Sequence, residues 1–464
     1  MHNERPTIAQ AVLAALVLIY CVLGLAYGVN TPKWQAPDEP AHYNYVKYVA
    51  ENLRFPVLQM GDYPHDYLEE IKAAGFPPNM SIAPMRYEFH QPPAYYVLAA
   101  LVYRIAHPLG FDAQFLALRL LSVMLGAVLL LVAFAIVREL FPTDTLTALT
   151  ATAFIATIPM HIAMSAAINN DTLAELVLAL VIWLCVRELK VGLSQRQTVF
   201  LGLLVALVLL TKTTIYAPAI TASALALAVR ARRLGKRPLL RGLVTVYGLG
   251  LLLSCWWFLR NILVYGDLDL FAWQRHDAVV AGQPTTAQWV GQYGLAETIR
   301  QFIVVSFRSF WAQFGWMGVL IDSRLYLMLA VLCVGVLVGL VLWLVRIARR
   351  PALLSTYERR ALLLLLLVFL VVGAEHISYN LKFVQHQGRY LFPALVPISV
   401  AFALGLLECP RLLGYAAPRL WPPSSRVTAL VPTLKAAILS VFYIGFLTLD
   451  VVCLYIFIVP QLRG

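Results

Sequence analysis

A chain of 464 residues in which 61% are hydrophobic and 13% charged lies far outside soluble usage, and this places it in a membrane. Its length would allow two soluble domains, but apolar runs recur along nearly all of it, so 1–464 reads as one polytopic body. The net charge of +12 does not point to nucleic acid, because Lys and Arg gather in short segments between the apolar runs, where they act as topology signals.

A hydrocarbon core roughly 30 Å thick needs about 20 apolar residues in a helix. In chain order the candidate spans are Ile8 to Tyr27, Phe115 to Val137, Leu146 to Met164, Leu173 to Val186, Val199 to Leu210 and Ile215 to Val229. Leu239 to Phe258, Tyr326 to Val345, Ala361 to Ala374, Leu391 to Leu407 and Ala436 to Val459 follow, bringing the expectation to about 11 transmembrane helices. The first run follows a short polar stretch with Arg5 and lacks a small-residue cleavage site, so it reads as a retained anchor with a cytoplasmic amino end. Alternation then makes the basic segments from Arg230, Arg346 and Glu408 cytoplasmic. It puts the acid-containing segments 30–114, 260–324 and 375–390 on the external face of a plasma (inner) membrane.

The first external loop, 30–114, is far longer than a plain connection and should be structured. Within it, "PAHYNYVKYVAENL" sets Ala41, Tyr45, Tyr48, Val49 and Asn52 near helical spacing, and "PPAYYVLAALVYRIA" reads as a second apolar helix. Both are expected along the membrane surface. Taking Pro93 to Ala106 as a span instead would turn every downstream basic segment outward.

The chemistry begins at "WQAPDEPAHYNY", from Trp34. Asp38 is placed to cap a helix whose first turn holds Glu39 and Pro40; with His42 on the same face, the group also suits acid–base work or a hard divalent ion. In "YEFHQPPAYYVL" a proline pair should extend the chain after Glu88 and His90 and aim both the same way. Arg119 and Lys212 lie inside apolar sequence, where ionisable groups are costly and usually functional. Arg260, Lys382 and Arg389 sit beside apolar runs, as interfacial anchors or phosphate ligands. Asp171 either caps the fourth span or touches substrate, and Trp256, Trp257, Trp311 and Trp316 read as interfacial belt residues. No zinc or EF-hand spacing is present, so no metal site is assigned, although a divalent cation stays open at Asp38, Glu39 and His42.

The Asp-Glu pair after the first span, "HQPPAYYVLAAL", "RLLSVMLGAVLLLV", "NNDTLAEL", "LLTKTT", "WWFLRNILVYGD", "SFWAQFGWMG" and "QGRYLFPALVP" appear in that order. Together they resemble the GT-C superfamily of integral membrane glycosyltransferases, in the branch of protein O-mannosyltransferases and aminoarabinose transferases. The last three motifs are similar to a bacterial branch of predicted membrane proteins. The resemblance implies an all-α GT-C-like bundle that moves a sugar from a polyprenyl-phosphate donor to a glycan, lipid or protein acceptor. It gives the base role to Asp38, with Glu39 as its neighbouring alternative, and no cofactor beyond the donor. Substrate-binding candidates are His42, Glu88, His90, Arg119, Asp171, Lys212, Arg260, Lys382 and Arg389. Direct displacement would invert the anomeric centre. A transporter or flippase of lipid-linked sugars, or an inactive scaffold on the same fold, is the competing class; the absence of a visible internal repeat and the loop position of the carboxylates favour the enzyme.

Charge alternation makes a direct prediction. Reporters at Arg232 and Arg350 should read cytoplasmic, and reporters within 62–79 or at Thr285 external; a cytoplasmic signal from 62–79 rejects this topology.

Overall fold

The computed structural model describes residues 7–420 and 425–463. Helix α1 (Ile8–Asn30) leads into a long loop carrying α2 (Glu39–Asn52), α3 (His65–Ala73) and α4 (Ala94–Ala106), after which α5 (Phe111–Leu140) begins. Then come α6 (Thr145–Ala156), α7 (Pro159–Ser165), α8 (Asp171–Lys190), α9 (Gln195–Leu209) and α10 (Tyr216–Leu234). Further apolar helices run over Lys236–Tyr265, Ser323–Arg349, Thr356–Lys382, Gly388–Pro410 and Lys435–Leu462. Each apolar run named from the sequence is mainly helical, but the expected count of about 11 spans is corrected downward. Leu146 to Met164 breaks at Thr157 and Ile158, Val199 to Leu210 lies in a helix of only 15 residues, and Leu173 to Val186 lies in a helix carrying Asp171, Glu175, Arg187, Glu188 and Lys190. Among the described residues, 8 helices are long and apolar enough to cross a membrane, and up to 9 if the bent pair α6 and α7 is one span.

The bend of 64° between α6 and α7 has a local cause. Thr157 Oγ1 donates back to Ala153 O at 2.8 Å, and Pro159, with no N–H to give, opens the next helix. Helix α8 is the hub: its apolar residues from Leu173 to Leu189 are buried on nearly every side, as expected of a helix surrounded by others. In α2 the helical spacing holds, with Ala41, Tyr45 and Val49 buried, and the ring of Tyr45 stacks on Tyr96 of α4 at 3.6 Å and 11°.

What fixes the first loop is one arginine. Arg119 of α5 is 1% exposed, and all five of its N–H donors have acceptors. Nε and Nη2 grip Glu39 at 2.8 and 2.7 Å; Nη1 donates to Gly28 O and Thr31 O at 2.8 and 2.7 Å, and Nη2 also to Pro32 O at 3.2 Å. Glu39 in turn accepts the backbone N–H groups of Trp34 and Ile168. The end of α1, the start of α2, the outer end of the chain's second span and the α7–α8 turn are thus joined through two side chains. Removing one partner strands the other's charge, so Arg119→Ala should cost about 3–5 kcal/mol, read as a lower melting temperature in detergent; a variant as stable as the parent would reject this role.

Candidate active site

Where the three long connections meet lies a cavity of about 500 Å³. The first loop contributes Pro37, Asp38, Tyr63, His65, Leu68, Glu69, Lys72, Tyr87 and Glu88. The remaining wall comes from His276, Val280, Gln283 and Pro284, from Trp316 and Met317 at the tip of a small hairpin, and from Tyr379, Gln385, Gln387 and Tyr390.

Asp38 precedes α2 but does not cap it: its side chain makes no bond to the helix amides. Its backbone is left-handed, with φ 65° and ψ −5°, a conformation that Asp tolerates better than most residues. The carboxylate is turned instead toward Tyr87, whose hydroxyl donates to Oδ1 at 3.0 Å, and Arg389, whose Nη2 donates to Oδ2 at 2.5 Å. Burial pushes the Asp38 carboxyl up, but the Arg389 guanidinium and these hydrogen bonds outweigh it and hold the group below the usual carboxylate range. Arg389 is itself placed by close packing. A Cβ on Gly388 would stand 2.0 Å from Ser306 O, and the Gly388 N–H donates to Ser309 Oγ at 2.7 Å.

Glu88 lines the same cavity in the opposite protonation state: burial, with the Asp38 charge beside it, pushes its carboxyl up to about 8. The chain is extended where expected, at Gln91 directly before the prolines, but Tyr87–His90 forms a 3-10 turn, and this corrects the expectation that Glu88 and His90 aim the same way. Glu88 and His90 consequently diverge. His90 is buried with Nδ1 2.9 Å from Tyr87 O and its ring 4.6 Å from that of His276. His42 is bound to Tyr96, whose hydroxyl lies 2.8 Å from Nδ1; burial together with Lys212 pushes its imidazole down to about 3, against the pull of the Asp38 charge. With Glu39 in the Arg119 clasp, Asp38, Glu39 and His42 do not converge on a point where they could share a cation. Among the described residues no three His, Cys, Asp or Glu side chains are grouped for a metal.

Lys212 stands where α9 stops, in an extended conformation after Thr211, whose Oγ1 bonds back to Leu207 O. Its Nζ reaches Asp171 Oδ1 at 2.5 Å. Asp171 is the first residue of α8 and makes no side-chain cap, so the capping expectation is corrected there too. Arg260 lies over the rings of Trp257 and Tyr265 and donates to Pro56 O, tying down the first loop outside the cavity. Lys382 pairs with half-exposed Asp277, next to His276 on the rim. The tryptophans do not form one belt: Trp257 and Trp311 are buried in the core, Trp256 is exposed, and Trp316 is part of the cavity wall. Tyr87, Tyr379, Tyr390, Gln387, His276 and Trp316 went unnoticed as cavity residues in the sequence, although Tyr87 stood in "YEFH", Trp316 in "SFWAQFGWMG" and Gln387 and Tyr390 in "QGRYLFPALVP"; Tyr379 and His276 carried no such signal.

Residues 83–398 match a family model described as "Predicted membrane protein (DUF2142)". The chain belongs to this family. No match is found among curated proteins. In solved structures the DUF2142 chain is similar to the archaeal oligosaccharyltransferase AglB of Archaeoglobus fulgidus in complex with an inhibitory peptide and a dolichol-phosphate, at TM-score 0.55 and 14% identity over 95% of this chain. It spans 56% of that protein, little more than half. It is also similar to ArnT of Cupriavidus metallidurans bound to undecaprenyl phosphate, at TM-score 0.52 and 14% identity, covering 97% of this chain and 73% of that one. The DUF2142 chain therefore has the all-α fold of the GT-C glycosyltransferases.

The raised Glu88 gives a stability prediction whose sign is fixed. Between about pH 4.5 and 8 the unfolded chain releases this proton while the folded chain keeps it, so the residue's contribution to stability falls as pH rises. Glu88→Gln should match the parent in melting temperature near the lower end of that window and exceed it increasingly toward the upper end. A variant less stable than the parent at pH 8 would reverse the assignment.

Proposed function

We propose that the protein transfers a sugar from a polyprenyl-phosphate donor to an acceptor on the external face of the plasma (inner) membrane, with Asp38 as the base. The observation that carries this is a carboxylate kept ionised in a cavity and left unused by the helix it precedes. A sugar on a lipid phosphate already has a competent leaving group. The protein's task is to take a proton from the acceptor, align it with the anomeric carbon and stabilise the departing phosphate. Single displacement of this kind inverts the sugar.

Arg389 and Lys212 are the phosphate ligands in this reading. Arg389 is 7% exposed and its Nε is buried without a partner, a donor in want of an acceptor. Lys212 uses one of its three donors on Asp171. Arg119 has none to spare, so it is a structural clasp here, and Glu39 its counter-ion instead of a second base. The bound dolichol-phosphate of the AglB complex and undecaprenyl phosphate of the ArnT complex support the donor class.

Asp38→Asn tests the base, since Asn also accepts a left-handed backbone and retains the Tyr87 contact. With the lipid-linked sugars of the native membrane as donors, turnover should fall about 100-fold or more at a temperature where the variant is still folded and still binds donor; its melting temperature should drop, because buried Arg389 loses its counter-ion. Near-normal turnover would remove Asp38 from the chemistry.

A further inference from the structure

We infer that the cavity in front of Asp38 is an acceptor site for the uncharged end of a glycan. The inference rests on the transferase reading and names the acceptor class that reading leaves open. Its first support is the kind of polar group in the wall. Gln283, Gln385 and Gln387 each present an amide that donates and accepts, and Tyr63, Tyr379 and Tyr390 bring phenols that do the same. A sugar hydroxyl also does both, so these groups pair with it in either direction. Gln387 Nε2 is spent on Gln385 at 2.8 Å, but its Oε1 is buried with no partner, an acceptor waiting for a donor.

The charges point the same way. Lys72 pairs with Glu69 at 2.6 Å, Asp38 pairs with Arg389, and Glu88 is held protonated by burial, so the wall's acids and bases balance and leave no surplus charge to favour a charged acceptor. Aliphatic lining is limited to Leu68, Val280, Met317 and the rings of Pro37 and Pro284, which is too little to hold an acyl chain. No strand edge among the described residues lies in the wall, so an extended peptide would find no backbone ladder to join.

The second support is strain. Trp316 and Met317 both have positive φ, 53° and 70°, in the turn of the hairpin formed by Gln313–Phe314 and Val319–Leu320. Consecutive bulky residues in that region cost energy and persist where something specific requires them. Here the turn brings an indole into the wall and fixes it there: Trp34 O accepts from its N–H at 2.9 Å, Phe76 stacks on the ring at 6.1 Å and Lys72 Nζ lies 5.2 Å from its centroid, so an apolar platform for the C–H groups of a sugar is held rigid beside the cavity. In the reaction, the proton of the glycan hydroxyl passes to Asp38 and the hydroxyl oxygen bonds to the donor's anomeric carbon. The bond from that carbon to the phosphate oxygen breaks, and polyprenyl phosphate leaves with the electron pair.

The test is native mass spectrometry of the full chain in lipid nanodiscs, offered two pools from the envelope of the expressing cells: neutral oligosaccharides released by mild acid, and peptides from a protease digest. Oligosaccharides should be retained, and Trp316→Ala and Gln387→Ala should each weaken retention by roughly tenfold, with Gln387→Ala melting like the parent. Asp38→Asn should still retain them. Capture of peptides in place of oligosaccharides overturns the inference, as does retention of neither pool or retention unchanged in both wall variants. Transfer of sugar onto a peptide would overturn it and leave the transferase reading standing; oligosaccharides retained without any transfer by the parent would do the reverse.

Discussion

A guanidinium with five donors, closed into the protein with none facing water, is the point on which the site depends. Arg119 takes three carbonyls that the end of α1 and the turn after it leave without helical partners, and the Glu39 carboxylate spans the remaining gap to the α7–α8 turn. Such a pair is expensive to bury and is held only by complete hydrogen bonding, which makes its geometry nearly all-or-none. Asp38 is the residue next to Glu39. The clasp therefore decides where the neighbouring carboxylate points, and the left-handed turn at Asp38 is the backbone's adjustment between two adjacent acids facing different partners.

That adjustment gives one cavity two carboxyl groups of opposite character. Asp38 has the guanidinium and the phenol; Glu88 has burial and a negative neighbour. Each makes the other's state more pronounced, because an ionised Asp38 discourages a second charge beside it. The site thus holds one carboxyl kept ionised and one kept protonated within the same walls, a division set by surroundings and not by residue type.

Much of the fold was legible because burying a backbone in hydrocarbon demands long apolar helices, and run length reports them directly. The bend at Thr157–Pro159 lay inside one such run and was hidden by it, although Pro159 stood in plain view. At the site, the halves differ. Asp38 and Glu88 could be named because unusual carboxylates cluster locally in a loop, whereas Trp316 comes from a second connection and Tyr379 and Gln387 from a third, which only tertiary packing brings together. Arg119 shows the limit of reading a charge within an apolar run. The rule that such a charge is functional does not say whether its partner is a ligand or a glutamate 80 positions away. The capping expectation at Asp38 failed for a related reason: local sequence allows a cap, but a distant arginine competes for the same oxygen atoms.

The bond between Asp38 and Arg389 joins positions 351 residues apart. During synthesis at about 5–20 residues per second, the first loop waits roughly 20–70 s before its counter-ion is made. Until then the carboxylate has no guanidinium beside it, and the wall supplied by Tyr379, Gln387 and Tyr390 does not exist. A chain that stops before Arg389 consequently lacks both the counter-ion of Asp38 and this part of the wall, so the cavity is a property of the nearly finished polypeptide and not of the first loop that carries its carboxylates.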